Sequence, residues 1–164
     1  MYIRKLSSRH LEAYKKLRLE ALLDCPEAFG SSYEEEVHMT DKEFKQRINH
    51  PDRVTLGAFQ DKALVGMITL ITSGREKTKQ NGHIVSMIVT PEYRKQGIGT
   101  KLLEEIILEA KNRKVLNLFL SVTSTNQVAI HMYQMVGFKR YGIEERTIKI
   151  NETYFDTDLM AMYL

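Results

Sequence analysis

The chain has 164 residues, of which 43% are hydrophobic and 27% are charged, as in an ordinary globular domain, so we expect one domain over residues 1–164. Its 24 basic and 21 acidic residues are evenly spread and give a net charge of only +3, which argues against a nucleic-acid partner. A single cysteine excludes an internal disulfide, and the histidines lack ligand spacing, so we expect no metal site.

The first residues, Met-Tyr-Ile-Arg-Lys, lack the basic and then apolar pattern of a signal peptide. No apolar run approaches the length that a bilayer span needs. We therefore expect a cytoplasmic protein with no membrane partner.

The N-terminal part of the chain predicts a strand and a helix. Residues 2–4 fit a short strand, and the serines at 7–8 can cap the helix that follows. Pro26 ends this helix because proline cannot continue it. Residues 27–39 are expected to be a linker.

A second helix and a hairpin come next. Thr40 and Glu43 have the spacing of a capping box, which predicts a helix that stops before Pro51. The apolar runs at 54–59 and 63–71 flank a short polar turn, which is typical of a β-hairpin.

The rest of the chain alternates strands and helices before ending in two long strands. These elements are predicted at residues 83–89, from Gly99 onward, and at 116–122, 125–136, 138–150 and 153–164. The resulting order, β-α-α-β-β-β-α-β-α-β-β, favours an α/β (α+β) fold with a mixed sheet and helices on both faces.

The most informative stretch is Val89-Thr-Pro-Glu-Tyr-Arg-Lys-Gln-Gly-Ile-Gly-Thr100, which joins a strand to a helix. Gly97 and Gly99 let the backbone approach an anion closely, and the helix start adds unpaired N–H groups. The stretch therefore predicts a diphosphate site. Leu102 stands where a dinucleotide fingerprint needs its third glycine, and the spacing of a Walker loop is absent, so a nucleotide-binding domain is disfavoured.

Two blocks of the sequence resemble one family. Arg94, Gly97 and Gly99 match the Gln/Arg-x-x-Gly-x-Gly/Ala signature of the GCN5-related N-acetyltransferases, the GNAT family. The family's other signature, Asn-x-x-Ala-x-x-x-Tyr-x-x-x-Gly-Phe, is matched by Asn126, Ala129, Tyr133, Gly137 and Phe138. The predicted element order is also the family's, so the resemblance covers nearly all of the chain.

The resemblance implies a fold with a mostly antiparallel sheet, in which two neighbouring strands splay apart around the pantetheine arm of acetyl-CoA. These strands would be residues 83–89 and 116–122. The implied acetyl-CoA contacts are Met87, Ile88, Val89, Arg94, Lys95, Gln96, Gly97, Ile98, Gly99, Thr100 and Asn126.

The resemblance also implies catalytic roles. Tyr133 matches the tyrosine that protonates the departing thiolate, and the alternative is a helix tyrosine that fills the core. His83 stands where some relatives place a glutamate base, and a histidine can accept a proton at neutral pH. Residues 34–36, three glutamates, are rival bases, although such a run is usually solvated.

We therefore expect an N-acetyltransferase that moves an acetyl group from acetyl-CoA to a primary amine of a small molecule or peptide. The alternative is a non-catalytic acyl-CoA sensor on the same fold. The two long C-terminal strands could pair with another subunit, which makes a homodimer possible.

Overall fold

The computed structural model describes all 164 residues and contains a single seven-stranded sheet. The strands are β1 (Tyr2–Lys5), β2 (Arg53–Gln60), β3 (Ala63–Thr72), β4 (Asn81–Val89), β5 (Asn117–Thr123), β6 (Lys139–Ile150) and β7 (Thr153–Tyr163). They lie in the order β1-β2-β3-β4-β5-β7-β6, and every neighbouring pair is antiparallel except β4 and β5. The expected mixed, mostly antiparallel sheet is confirmed.

Five α-helices flank the sheet. They are α1 (Leu11–Asp24), α2 (Tyr33–Glu36), α3 (Asp41–Ile48), α4 (Ile98–Asn112) and α5 (Gln127–Met135). Helices α4 and α5 pack on one face through the larger apolar core, whereas α1 and α3 cover part of the other face. Helices therefore lie on both faces, as the alternating pattern predicted. None of them is long and apolar enough to cross a membrane.

Helix α2 lies in the segment that was expected to be a linker, so that prediction was wrong. Ser32 Oγ accepts a hydrogen bond from the Glu35 amide at 3.2 Å, and the Glu35 carboxylate accepts one from the Ser32 amide at 2.7 Å. This reciprocal capping box stabilises a helix too short to show an apolar period. The helix buries Glu36, which matters for the site described below.

Strands β4 and β5 pair only at their beginnings. Residues 81–83 pair with residues 117–119, and the Asn117 side-chain amide donates to the Asn81 side-chain oxygen at 2.8 Å. Beyond His83 and Phe119, β4 pairs only with β3, and β5 pairs only with β7. A cleft therefore opens between residues 84–89 and 120–123, where the GNAT resemblance placed it.

A bulge interrupts β4 inside this cleft. Ser86 has φ of 53°, in the left-handed region, and the register with β3 shifts at this point. Ile84 and Ile88 would share one face of a regular strand, yet Ile84 packs in the core beneath α4 and Ile88 packs in the core beneath α1. The bulge therefore reverses which way the end of β4 faces.

Candidate active site

The glycine loop, residues 94–100, joins the end of β4 to helix α4. Lys95 has φ of 61° and Gly97 has φ of 76°, so two left-handed residues alternate with right-handed or extended ones. Backbone conformations of this kind turn successive N–H groups toward one side and form an anion nest. The amides of residues 95–100 donate to no acceptor in the protein. A run of free donors at the positive end of a helix can bind a diphosphate.

The two glycines serve different purposes. A Cβ at Gly97 would meet no atom within 4 Å, so the residue is needed for its backbone angle rather than for space. A Cβ at Gly99 would lie 3.0 Å from Met132 Sδ and 3.1 Å from Met87 Cε. Gly99 is thus the point where the glycine loop, helix α5 and strand β4 come together.

Arg94 holds the loop in place from the side. Its guanidinium forms an ion pair with Asp24 at the end of α1, and its Nε donates to the Val89 carbonyl at 2.9 Å. The hydrogen bond from Arg94 holds the pKa of Asp24 below its usual range. Arg94 therefore offers little free charge to an anion, which leaves the loop amides and the exposed Lys95 as the groups able to bind one.

Tyr133 lies on α5 and is only 6% exposed. Its ring packs edge-on against Phe138 with centroids 6.0 Å apart. Burial raises the pKa of Tyr133, so its hydroxyl keeps its proton at neutral pH. The Tyr133 hydroxyl has no hydrogen-bond partner in the protein. It is nevertheless not fully buried, because Thr90 Oγ1 is the only side-chain polar atom that is both fully buried and without a partner. The hydroxyl therefore retains access to solvent.

Asn126 caps helix α5. Its Oδ1 accepts a hydrogen bond from the Ala129 amide at 3.2 Å, which satisfies one of the free donors at the helix start. The side-chain NH₂ group has no protein partner and is available to a ligand. The cap thus fixes the direction in which the amide points.

His83 is the last β4 residue to pair with β5, so it stands where the cleft begins. Its exposed ring lies 5.5 Å from the ring of Phe119, which in turn lies 6.1 Å from that of Tyr141. The sequence pattern did not predict this aromatic row. The alternation along β5 places Phe119 on the face opposite Leu118, but no local pattern brings Tyr141 beside it.

The three glutamates of residues 34–36 have different environments. Glu36 is 2% exposed and forms ion pairs with Arg18 at 2.7 Å and with Arg47 at 2.9 Å. Burial alone would raise the pKa of Glu36, but the hydrogen bond and charge of Arg18, with the charge of Arg47, lower it to about 2. The expectation that this run is solvated was wrong for Glu36, and a carboxylate held so firmly ionised is a poor base.

No three His, Cys, Asp or Glu side chains come together to hold a metal ion. Of the predicted cofactor contacts, Met87 of β4 and Gly99 of the glycine loop come close together, and Met132 of α5 lies beside them. His83 lies on the other face of the sheet, beside Phe119.

Solved structures share this fold. The chain aligns with a GNAT-family acetyltransferase from Streptococcus pneumoniae with a TM-score of 0.85 and 24% identity, covering 99% of this chain and 98% of the other. It aligns with yncA of Salmonella typhimurium, solved with its cofactor acetyl-CoA, with a TM-score of 0.87 and 16% identity, covering 99% and 93%. At these identities the likeness is one of fold.

Curated relatives are similar in sequence. The [ribosomal protein bS18]-alanine N-acetyltransferase of Escherichia coli K12 is 33% identical over 79 residues, which is 48% of this chain and 53% of that protein. The N-alpha-acetyltransferase RimI of Mycobacterium tuberculosis is 29% identical over 108 residues, 66% of each chain. The match thus spans about half the length of the Escherichia coli relative. The acetyltransferase (GNAT) family model matches residues 16–138, which include the glycine loop and Tyr133, and the chain therefore belongs to the GNAT family of acetyltransferases.

Proposed function

We propose that residues 1–164 form one catalytic domain, an N-acetyltransferase that transfers the acetyl group of acetyl-CoA to a primary amine. The observation that carries this proposal is the run of unpaired amides at residues 95–100, placed beside the open cleft between β4 and β5. Any helix start leaves its first four N–H groups unpaired, here those of residues 97–100, and the amides of residues 95 and 96 extend this run into the loop.

The residues present fit the cofactor. The amides of residues 95–100 would hold the diphosphate, and Met87, Ile88 and Val89 would offer the free edge of β4 to the pantetheine arm as an added strand. The Asn126 NH₂ group would donate near the sulfur end of the arm. Acetyl-CoA supplies the activated acyl group as a thioester.

Tyr133 fits the role of the acid that protonates the departing thiolate. Its hydroxyl is protonated because burial raises its pKa, and no protein group competes for the proton. The demand on this acid is small, since a thiol of pKa about 8.5 loses its proton at pH 7 at a cost of only about 2 kcal/mol. Removing the hydroxyl should therefore slow the reaction by about 10²-fold.

His83 is our candidate for the base that takes the proton of the attacking amine, directly or through water. Its ring is exposed at the point where β4 and β5 separate. Among the rival glutamates, Glu36 is engaged by two arginines and Glu35 caps α2, which leaves Glu34 as the competitor. Neutral imidazole has the proton affinity that this role requires near pH 7.

A peptide α-amine is the acceptor to test first. One relative is named as a [ribosomal protein bS18]-alanine N-acetyltransferase and the other as an N-alpha-acetyltransferase. Deprotonating an α-amine at pH 7 costs about 1.4 kcal/mol, compared with about 4.6 kcal/mol for a lysine side chain. An imidazole base suits the first of these better.

Binding and turnover test different parts of the proposal. Calorimetry should detect coenzyme A but neither NAD nor ATP. Thiol release from acetyl-CoA should then occur with peptides that begin with a free alanine, and should fall when the same peptides are N-terminally blocked. Binding without release on any amine would favour the non-catalytic sensor, whereas no coenzyme A binding would refute both. Of the two C-terminal strands, β6 lies at the edge of the sheet and β7 lies between β5 and β6. Pairing with another subunit, which stays a prediction, would therefore use β6.

A further inference from the structure

Arg18 lies at the centre of a buried polar cluster that the proposed chemistry does not use. Its side chain is 7% exposed and binds Glu36 with two hydrogen bonds, from Nε at 3.0 Å and from Nη2 at 2.7 Å. The guanidinium carbon also lies 4.7 Å from the centre of the Phe29 ring. A planar fork held on one edge by a carboxylate and on one face by an aromatic ring has a fixed direction.

The third nitrogen of the Arg18 guanidinium, Nη1, is directed at the β4 bulge. Arg18 Nη1 donates to Ser86 Oγ at 3.4 Å, and Ser86 is the residue with φ of 53°. A left-handed conformation is strained for a residue that carries a Cβ, so the surrounding structure must hold Ser86 in it. Among side chains, only Arg18 hydrogen-bonds to the Ser86 hydroxyl.

The bulge decides how the end of β4 faces the cleft. Met87 packs toward the α4 and α5 core and Ile88 packs toward the α1 core, an arrangement that an unbroken strand would reverse. The bulge also sets the direction in which the backbone N–H and C=O groups of residues 87–89 point. A positioning error of about 1 Å in a reacting group can lower turnover by about 10²-fold, so holding the bulge has a kinetic consequence.

We propose that Arg18 is a positioning residue, which Glu36 orients and which holds Ser86 in the bulge so that residues 87–89 stay aligned for the acetyl donor. This inference rests on the proposed acetyltransferase function. It predicts that Arg18 and Ser86 act on turnover rather than on coenzyme affinity, because the glycine loop supplies most of the latter.

A matched pair of substitutions tests the proposal while leaving the buried ion pair intact. Ser86→Ala and Ser86→Gly both remove the hydroxyl, but only glycine adopts the left-handed angle without strain. We expect Ser86→Ala to lower kcat about 10-fold or more and Ser86→Gly to stay within about 3-fold of the wild type. The dissociation constant for coenzyme A should change less than about 3-fold in both.

Amide hydrogen exchange gives a readout independent of turnover. The amides of residues 87–89 should exchange faster in Ser86→Ala than in the wild type or in Ser86→Gly. Arg18→Met should resemble Ser86→Ala, and adding Ser86→Gly to Arg18→Met should restore kcat. Arg47→Met is the control, since Arg47 contacts Glu36 but not Ser86, and it should leave kcat within about 2-fold.

Equal loss of turnover in Ser86→Ala and Ser86→Gly would overturn the proposal, because it would assign the effect to the hydroxyl itself. Unchanged turnover in Ser86→Ala would also overturn it. In either case the proposed acetyltransferase function remains supported if the wild type binds coenzyme A and releases thiol from acetyl-CoA. A wild type that does neither would refute the proposed function itself.

Discussion

Replacing Glu36 by glutamine should change how stability depends on pH. The pKa of Glu36 is 4.5 before folding and about 2 in the folded chain, since Arg18 and Arg47 more than offset the opposing effect of burial. A carboxyl with a depressed pKa stabilises the fold above its unfolded pKa and loses that contribution as the pH falls. From this shift the contribution is about 3 kcal/mol at neutral pH, of which about 1 is lost by pH 4 and about 2 by pH 3.

The effect of Glu36 must be measured as the difference in the free energy of unfolding between the wild type and Glu36→Gln. Other carboxyls with lowered pKa values, including Asp24 and Glu109, also weaken the fold in acid. Glu36→Gln keeps those groups and leaves Arg18 without a charged partner, so it should be destabilised by about 3–5 kcal/mol at pH 7. Because the wild type loses its own Glu36 contribution in acid, this difference should shrink by about 2 kcal/mol between pH 7 and pH 3.

Urea unfolding followed by circular dichroism at pH 7, 5, 4 and 3 measures the difference. Glu43→Gln is the control, because Glu43 has a lowered pKa from its capping bonds to Thr40 but is exposed and should alter the pH dependence much less. Carbon NMR of the wild-type Glu36 carboxyl reports its titration directly, even where the variant is too unstable to study. A difference between wild type and Glu36→Gln that is constant with pH, or a Glu36 carboxyl that titrates near 4.5, would refute the reasoning.

Other predictions concern the cofactor site. Gly97→Ala should destabilise the loop by about 1–2 kcal/mol and weaken coenzyme A binding in calorimetry, because alanine resists φ of 76°, whereas Gly30→Ala should do neither. Gly99→Ala should bind nearly normally, since only two flexible methionine ends must move, and a loss like that of Gly97→Ala would contradict this. Tyr133→Phe should keep coenzyme A affinity and lower turnover by about 10²-fold, and unchanged turnover with a limiting chemical step would remove Tyr133 from the mechanism. Asp24→Asn should tighten coenzyme A binding a few-fold at low salt, because it removes a negative charge beside Arg94, and an effect that persists above about 0.5 M salt would rule out this electrostatic cause.

Those parts of the fold that depend on local sequence were predictable. The hairpin between β2 and β3 turns at Asp61 and Lys62, both with positive φ, between apolar runs that already indicated two strands. The capping box of Thr40 and Glu43 forms as its spacing indicated. Gly97 takes the left-handed angle that the glycine loop requires. In each case the residues that decide the structure are neighbours in the chain.

The less predictable parts depend on residues that meet only after folding. Glu36 belongs to a run of glutamates that suggests solvent, and its burial depends on Arg18, which is 18 positions away. Ser86 interrupts β4 although serine has no strong left-handed preference, and the flanking isoleucines Ile84 and Ile88 suggest an unbroken strand. Periodicity assigns each residue a face but cannot show which distant side chain will hold it.

Helix α1 contacts the proposed acetyl-CoA site at two places, once at β4 and once at the glycine loop. Arg18 reaches the bulge at Ser86, and Asp24, at the end of the same helix, pairs with Arg94 at the start of the glycine loop. The first contact lies near the proposed acetyl end of the site and the second near its diphosphate end. Since a helix is stiff along its axis, a displacement of α1 would move both ends together. Substitutions that loosen α1 should therefore lower turnover and coenzyme affinity in parallel, whereas the loss of Arg18 alone should affect turnover and the loss of Asp24 alone should affect affinity.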